Sequence, residues 1–183
     1  MSEGYLIRHC SPTLAGLKTA SLFTCPCDCR EALLESLRQL NRRLRGKGLC
    51  LVPLRFSEKS ALIYLYRPRR LTEDMDGPLA RRLLTERGYD TGSCQRCVAQ
   101  LRQRLEDSDG FPHEIGLFLG YPPEDVRGFM EEGPDRCKCS GCWKVYSDVA
   151  SAQRTFDRYR KCARVYRDQW EKGKGIERLT VAG

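Results

Sequence analysis

Leu49-Cys50-Leu51-Val52-Pro53-Leu54-Arg55-Phe56, then Ser57-Glu58-Lys59-Ser60, then Ala61-Leu62-Ile63-Tyr64-Leu65-Tyr66, is the stretch on which the fold turns. Both apolar runs favour strands, and the short polar gap between them suggests an antiparallel hairpin. On either side the pattern is helical. Upstream, Cys29 to Arg45 spaces Leu33, Leu34, Leu37, Leu40 and Leu44 as one helix face, with Gly46 and Gly48 to stop it. Downstream, Leu71 to Arg87 reads as a second amphipathic helix ending at Gly88-Tyr89. Ser93 caps a third helix through Cys97, Leu101 and Leu105.

From Pro112 the chain reads as a helix, a Gly120-Tyr121-Pro122 turn, and a short helix through Val126 and Met130. Trp143 to Tyr146 is a candidate strand. Val149 to Lys172 is the longest helix, its stripe being Phe156, Tyr159, Cys162, Val165 and Tyr166, and Arg178 to Val181 is a last candidate strand. At the other end, Ser11-Pro12-Thr13 ahead of Leu14, Leu17 and Lys18 reads as a helix start, with Ser as cap and Pro in the first turn. The expected fold is α/β or α+β: one domain over residues 1–183, with a small mixed sheet packed by several amphipathic helices.

The 183 residues are 40% hydrophobic, enough for a core without a disulfide scaffold. No apolar run approaches the roughly 20 residues of a membrane span. Met1 to Cys10 carries Glu3, Arg8 and His9 where a signal peptide needs an apolar block. These features point to a cytosolic protein with no membrane partner. In a reducing compartment, eleven cysteines suggest metal ligands or reactive thiols rather than disulfides, and an odd count argues against complete pairing. The net charge of +8 permits a nucleic-acid or acidic partner without requiring one. Arg38, Arg42, Arg43, Arg45 and Lys47, like Arg67, Arg69 and Arg70, read as solvated helix faces and turns.

Cys10 stands in the order Cys10-Ser11-Pro12-Thr13, at the entrance of the first expected helix. There the helix dipole and unpaired N–H groups favour thiolate, and His9 or Lys18 adds positive charge. The competing reading is a buried cysteine acting as a small apolar residue. Cys25-Pro26-Cys27-Asp28-Cys29 and Cys137-Lys138-Cys139-Ser140-Gly141-Cys142 are the densest thiol groups. Converging in space, they would suit a four-sulfur zinc site or an iron–sulfur cluster. Their one-residue gaps match structural zinc ligands poorly. Cys94-Gln95-Arg96-Cys97 is better spaced, but on a helix it is also simply a pair one turn apart.

His113 has the chemistry of a base, a metal ligand or a haem ligand, against a capping or core role. The stretch from His113 to Met130 has the outline of a DNA-binding helix pair. Its second helix, however, offers Glu124, Asp125, Glu131 and Glu132 against Arg127, which phosphate would repel. In Trp143-Lys144-Val145-Tyr146 a strand would set Lys144 and Tyr146 on one face and Trp143 and Val145 on the other. Cys142 then brings a thiol close to an ammonium. There is no phosphate-cradling glycine loop and no dinucleotide fingerprint.

Several blocks together carry a resemblance: His9-Cys10-Ser11-Pro12-Thr13-Leu14-Ala15-Gly16-Leu17-Lys18, Phe111 through Gly128 (FPHEIGLFLGYPPEDVRG), Cys142-Trp143-Lys144-Val145-Tyr146, Lys161-Cys162 and Glu177-Arg178-Leu179-Thr180-Val181. The chain resembles a bacterial family of small proteins known as domain of unknown function 3793. The resemblance implies a single-domain cytosolic protein of anaerobic bacteria and brings no activity with it. It also implies that Cys10, Lys18, Cys142, Lys144 and Cys162 belong to the family pattern, whereas Cys25, Cys27, Cys29, Cys137 and Cys139 depart from it.

The functional expectation is thiol-based redox chemistry, or handling of a thiophilic metal, iron or haem, centred on Cys10. Lys18 is its electrostatic support, Cys142 a second thiol, and Lys144 and His113 complete the candidate catalytic set. Candidate metal ligands are Cys25, Cys27, Cys29, Cys94, Cys97, Cys137, Cys139 and Cys142, with zinc, an iron–sulfur cluster or haem as the cofactor. The expected partner is a thiophilic metal or a redox protein, and enzyme and carrier both stay open. A non-catalytic adaptor using the basic helices is the second reading, and nucleic-acid binding the third.

Overall fold

A computed structural model describes residues 2–107 and 110–183. It groups into two compact units, Met1–Arg69 with Lys161–Gly183, and Arg70–Arg160. The sequence reading treats the chain as one domain.

The first unit is built on the expected hairpin. Three antiparallel strands stand in the order β1 (Ala20–Pro26), β3 (Ser60–Tyr66) and β2 (Cys50–Phe56). Central β3 is buried along Ala61–Tyr66, which is why its run is continuously apolar rather than alternating. Pro53, which donates no ladder bond, lies on the edge strand β2, where the register shifts between Pro53 and Arg55. The outer edge of β2 is closed by a side chain: the Asn41 amide donates to the Leu51 carbonyl and accepts from its N–H, both at 2.8 Å.

Asn41 belongs to α2 (Arg30–Leu44), whose Leu33, Leu37, Leu40 and Leu44 are buried as their spacing predicts. A 3-10 turn at Arg45–Lys47 and Gly48, at φ +76°, end it. These leucines share one core with Leu6, Ile7, Leu14, Phe23, Leu51 and Ile63.

Two expectations fail in this unit, and one strand is absent from the sequence reading. The first helix does not begin at Ser11; α1 runs Glu3–Leu14 with Pro12 in its last turn. The proline removes the hydrogen bond to the Arg8 carbonyl, and Arg8 is exposed, so water can replace it. Strand β1 had not been foreseen. The tail at 178–181 is no strand: α9 (Ile176–Leu179) leads into an extended end, where the Val181 N–H donates to the Leu14 carbonyl at 3.0 Å. Buried Arg67 ties the unit together, its guanidinium donating to the carbonyls of Thr13 (2.8 Å), Leu14 (2.9 Å) and Val181 (2.8 Å).

In the second unit, the helix expected over 71–87 is two helices, α3 (Pro68–Asp76) and α4 (Pro78–Glu86). Gly77 precedes a proline, which disfavours helical backbone there, and Pro78 starts the next helix well. Then follow α5 (Cys94–Asp107), α6 (Ile115–Phe118), α7 (Pro123–Glu132) and a hairpin of β4 (Cys139–Ser140) with β5 (Lys144–Val145). Helix α8 (Val149–Glu171) begins in this unit and ends in the other. The fold is α+β, with every strand pair among the described residues antiparallel rather than mixed. Among those residues, no helix is long and apolar enough to cross a membrane.

Candidate functional site

Two of the blocks that carry the family resemblance meet in the second unit. At the turn joining α6 to α7, Gly120 has φ +70° and the Tyr121 N–H donates to the Gly116 carbonyl at 3.0 Å. A Cβ on Gly116 would lie 2.7 Å from Val126 and 3.0 Å from Tyr121, so only glycine permits this approach. Tyr121 stacks on Trp143, with ring centres 5.1 Å apart, and Trp143 meets Phe156 edge-on at 4.6 Å.

Asp125, in the first turn of α7, fixes the hairpin against these rings. One carboxylate oxygen accepts from the Trp143 indole at 2.7 Å. The other accepts from the Tyr146 N–H (2.8 Å), the Ser147 N–H (2.7 Å) and the Ser147 hydroxyl (2.7 Å). Burial pushes the carboxyl pKa up, but the Ser147 hydroxyl and the N–H donors outweigh it and hold it below the ordinary aspartate value. The Tyr146 hydroxyl completes the latch by donating to the Gly133 carbonyl at 2.5 Å.

The result is a pocket of about 210 Å³ whose wall includes Tyr121, Asp125, Phe129, Trp143, His113 and Lys144. Nearly all the surface it presents is apolar. His113 packs edge-on to Phe129 at 5.3 Å and is otherwise exposed; Lys144 is half-buried. Of the five residues expected to carry chemistry, His113 and Lys144 lie here together, and Cys142 is exposed close enough to Tyr121 for its charge to help raise the phenol. Burial is the larger cause, and the phenol is pushed up to about 12. Trp143 packs with Val145 against Phe156, the shared face expected of alternation along 143–146, although β5 is only two residues long and both Trp143 and Lys144 line the pocket.

Cys10 is not at a helix N-terminus. It lies deep in α1, fully buried among Leu6, Ile7 and Leu14. Burial drives its thiol far above the ordinary range, and neither the hydrogen bond with Ser21 nor the charge of Lys18 offsets that. The helix extends past Cys10 on both sides, so the unpaired N–H groups that were to activate it are elsewhere. Cys10 is the small apolar residue of the competing reading.

The Cys25-Pro26-Cys27 spacing belongs to an extended chain. Alternate residues point inward, so Cys25 and Cys27 enter the core, Pro26 is exposed, and Cys27 continues the pairing through its N–H to the Lys59 carbonyl at 2.9 Å. Cys29 is exposed, its thiol 3.4 Å from Glu31. Cys94 and Cys97 sit one turn apart on α5, both buried, with Cys97 donating to the Asp90 carbonyl at 3.2 Å. Cys137 and Cys139 are half-buried around the β4–β5 hairpin. Burial pushes Cys162 on α8 up to about 11. Among the described residues, no three His, Cys, Asp or Glu side chains are arranged to hold a metal ion.

The basic stretch on α2 is largely compensated within its own unit. Arg38 and Arg42 pair with Glu35, and Arg43 with Glu3 (2.5 Å) and Glu177. The helix pair weighed for DNA has a first helix of four residues, one turn, which gives a recognition helix little support. The residues missed by sequence reasoning are Tyr121, Asp125, Phe129 and Trp143. In the sequence Asp125 reads as a charge opposing DNA; the signal for more is an acid in the first turn of a helix that follows a Gly-Tyr-Pro turn.

A second buried constellation adjoins in sequence. Glu114 accepts from the Tyr89 hydroxyl at 3.0 Å and pairs with Arg104 at 3.5 Å, while the Arg104 guanidinium lies 4.3 Å from the Tyr89 ring centre. Its groups are mutually satisfied, as a structural network requires.

No curated protein and no solved structure matches the chain. The sequence profile of one family, described as a protein of unknown function (DUF3793), matches residues 6–180, and the chain belongs to that family.

Proposed function

We propose that this chain is a small-ligand-binding protein whose site is the ring-walled pocket between the α6–α7 turn and the β4–β5 hairpin. The observation that carries the reading is convergence: residues 113–129 and 143–144, from two separate blocks, line one largely apolar, partly open pocket of about 210 Å³. A cavity of about 150 Å³ lined by apolar side chains accepts benzene, and drug-sized ligands occupy about 300–1,000 Å³. The volume therefore suits a compound with one ring. The flat Tyr121–Trp143 pair offers such a ring a stacking surface.

The thiol reading is less well supported, because Cys10 is sealed in the core of the other unit.

Trp143 makes the test direct. Titration with a panel of anionic, neutral and cationic single-ring compounds should give saturable, one-to-one quenching or a shift of Trp143 emission in a Trp170→Phe background. Ile115→Phe, which fills the pocket, should abolish it. If no compound of any charge saturates the signal, or if filling the pocket leaves binding intact, the reading fails.

A further inference from the structure

Resting on that reading, we propose that the pocket's ligand is a single-ring carboxylate, its ring against Tyr121 and Trp143 and its anionic group toward Lys144 and His113. The argument is one of charge placement. The pocket wall contains one acid and two basic side chains. The acid is committed: both oxygens of Asp125 are taken by the four donors of Trp143, Tyr146 and Ser147. The bases are not. Among the described residues, neither the Lys144 ammonium nor the His113 imidazole makes an ion pair or a hydrogen bond; His113 only packs against Phe129.

Lys144 is half-buried and its ammonium has no partner among the described residues, so an incoming anion would find it unpaired. A cationic ligand would meet the unpaired Lys144 instead, and the rings alone would not offset that repulsion. The volume of about 210 Å³ suits one ring and one carboxylate and is below that of sites for drug-sized ligands.

Benzoate, benzyl alcohol and benzylamine separate the possibilities, each titrated by calorimetry into the full chain and into its Lys144→Met and Lys144→Gln variants. Benzoate should bind more tightly than benzyl alcohol, by up to about fivefold, the advantage a partly exposed ion pair supplies, and benzylamine should bind most weakly. Both Lys144 variants should abolish the benzoate advantage, read as the ratio of benzoate to benzyl alcohol affinity within each variant. If benzyl alcohol or benzylamine equals benzoate, or if both variants keep the benzoate advantage, the assignment of an anion is overturned and the pocket reading stands. If none of the three binds, nor any other ring compound, both fall together.

Discussion

Replacing Asp125 is the most informative perturbation, because two opposing effects meet there and the geometry says which wins. Asp125 is 2% exposed, and burying a carboxylate is costly. If that cost dominated, Asp125→Asn would leave the protein as stable as before, or more so. Four donors oppose it, however, and two of them belong to groups that water reaches poorly: the Tyr146 N–H and the half-buried Trp143 indole. The other two belong to exposed Ser147, where water takes over.

Asp125→Ala therefore orphans two donors at about 1–3 kcal/mol each and leaves a small void, for a loss of about 3–5 kcal/mol. Asp125→Asn keeps the three bonds at one oxygen, without their charge, and turns an NH₂ toward the indole N–H. A loss of about 2–3 kcal/mol follows. Urea unfolding followed by Trp143 emission, in the Trp170→Phe background, reads out this unit.

The same carboxylate gives a pH signature. Its pKa in the folded protein lies below the 3.8 of an unperturbed aspartate, so in acid the unfolded chain binds the proton more readily. The stabilisation is fully present above that ordinary value and is lost as pH falls through the lowered one. The gap between wild type and Asp125→Asn should hold steady from neutral pH to about pH 5 and shrink below about pH 4. A variant as stable as wild type, or a gap that widens in acid, would refute the reasoning.

At neutral pH a thiol-specific reagent should modify exposed Cys29 and Cys142 first and leave Cys10 untouched until the chain unfolds, as read by mass spectrometry of timed digests; rapid labelling of Cys10 in the folded protein would contradict its burial. Burial first, and then the charge of Glu114, hold the Tyr89 phenol well above its ordinary value of 10.0, so the stabilisation it reports is complete below that pH and is lost as pH rises through the raised value. Glu114→Gln should lower the Tyr89 midpoint in an ultraviolet phenolate titration, and an unchanged midpoint would remove Glu114 as a cause.

What the sequence discloses, and what it hides, follows from how far apart the cooperating residues are. The 49–66 hairpin and the α2 leucine stripe are local patterns with strong periods, and they fold as read. Pro12 misleads because a proline in a last turn looks the same, in one dimension, as a proline in a first turn; here the residue four positions back, Arg8, is exposed. β1 is missed because its cysteines draw attention as possible ligands, when the i, i+2 spacing of Cys25 and Cys27 is that of a strand facing a core. His113 and Lys144 are named on chemical type alone. Their meeting with Tyr121, Asp125 and Trp143 depends on contacts some twenty residues apart, and no spacing rule encodes those.

The glycines show why those contacts form at all. Gly116 lets Val126 and Tyr121 close over α6, Gly128 makes room on α7 for the Tyr146 ring, and Gly141 in the β4–β5 turn makes room for Phe156. Each lies where a bulky ring must press against backbone, and any Cβ there would push the ring away. Asp125 then satisfies the N–H groups that this close approach would otherwise strand. The FPHEIGLFLGYPPEDVRG block and the CWKVY block are thus two sides of one packing solution: small residues where rings arrive, an acid where donors arrive. The cavity is the space that this arrangement of large rings and missing side chains leaves open. That links two of the segments carrying the family resemblance to the pocket.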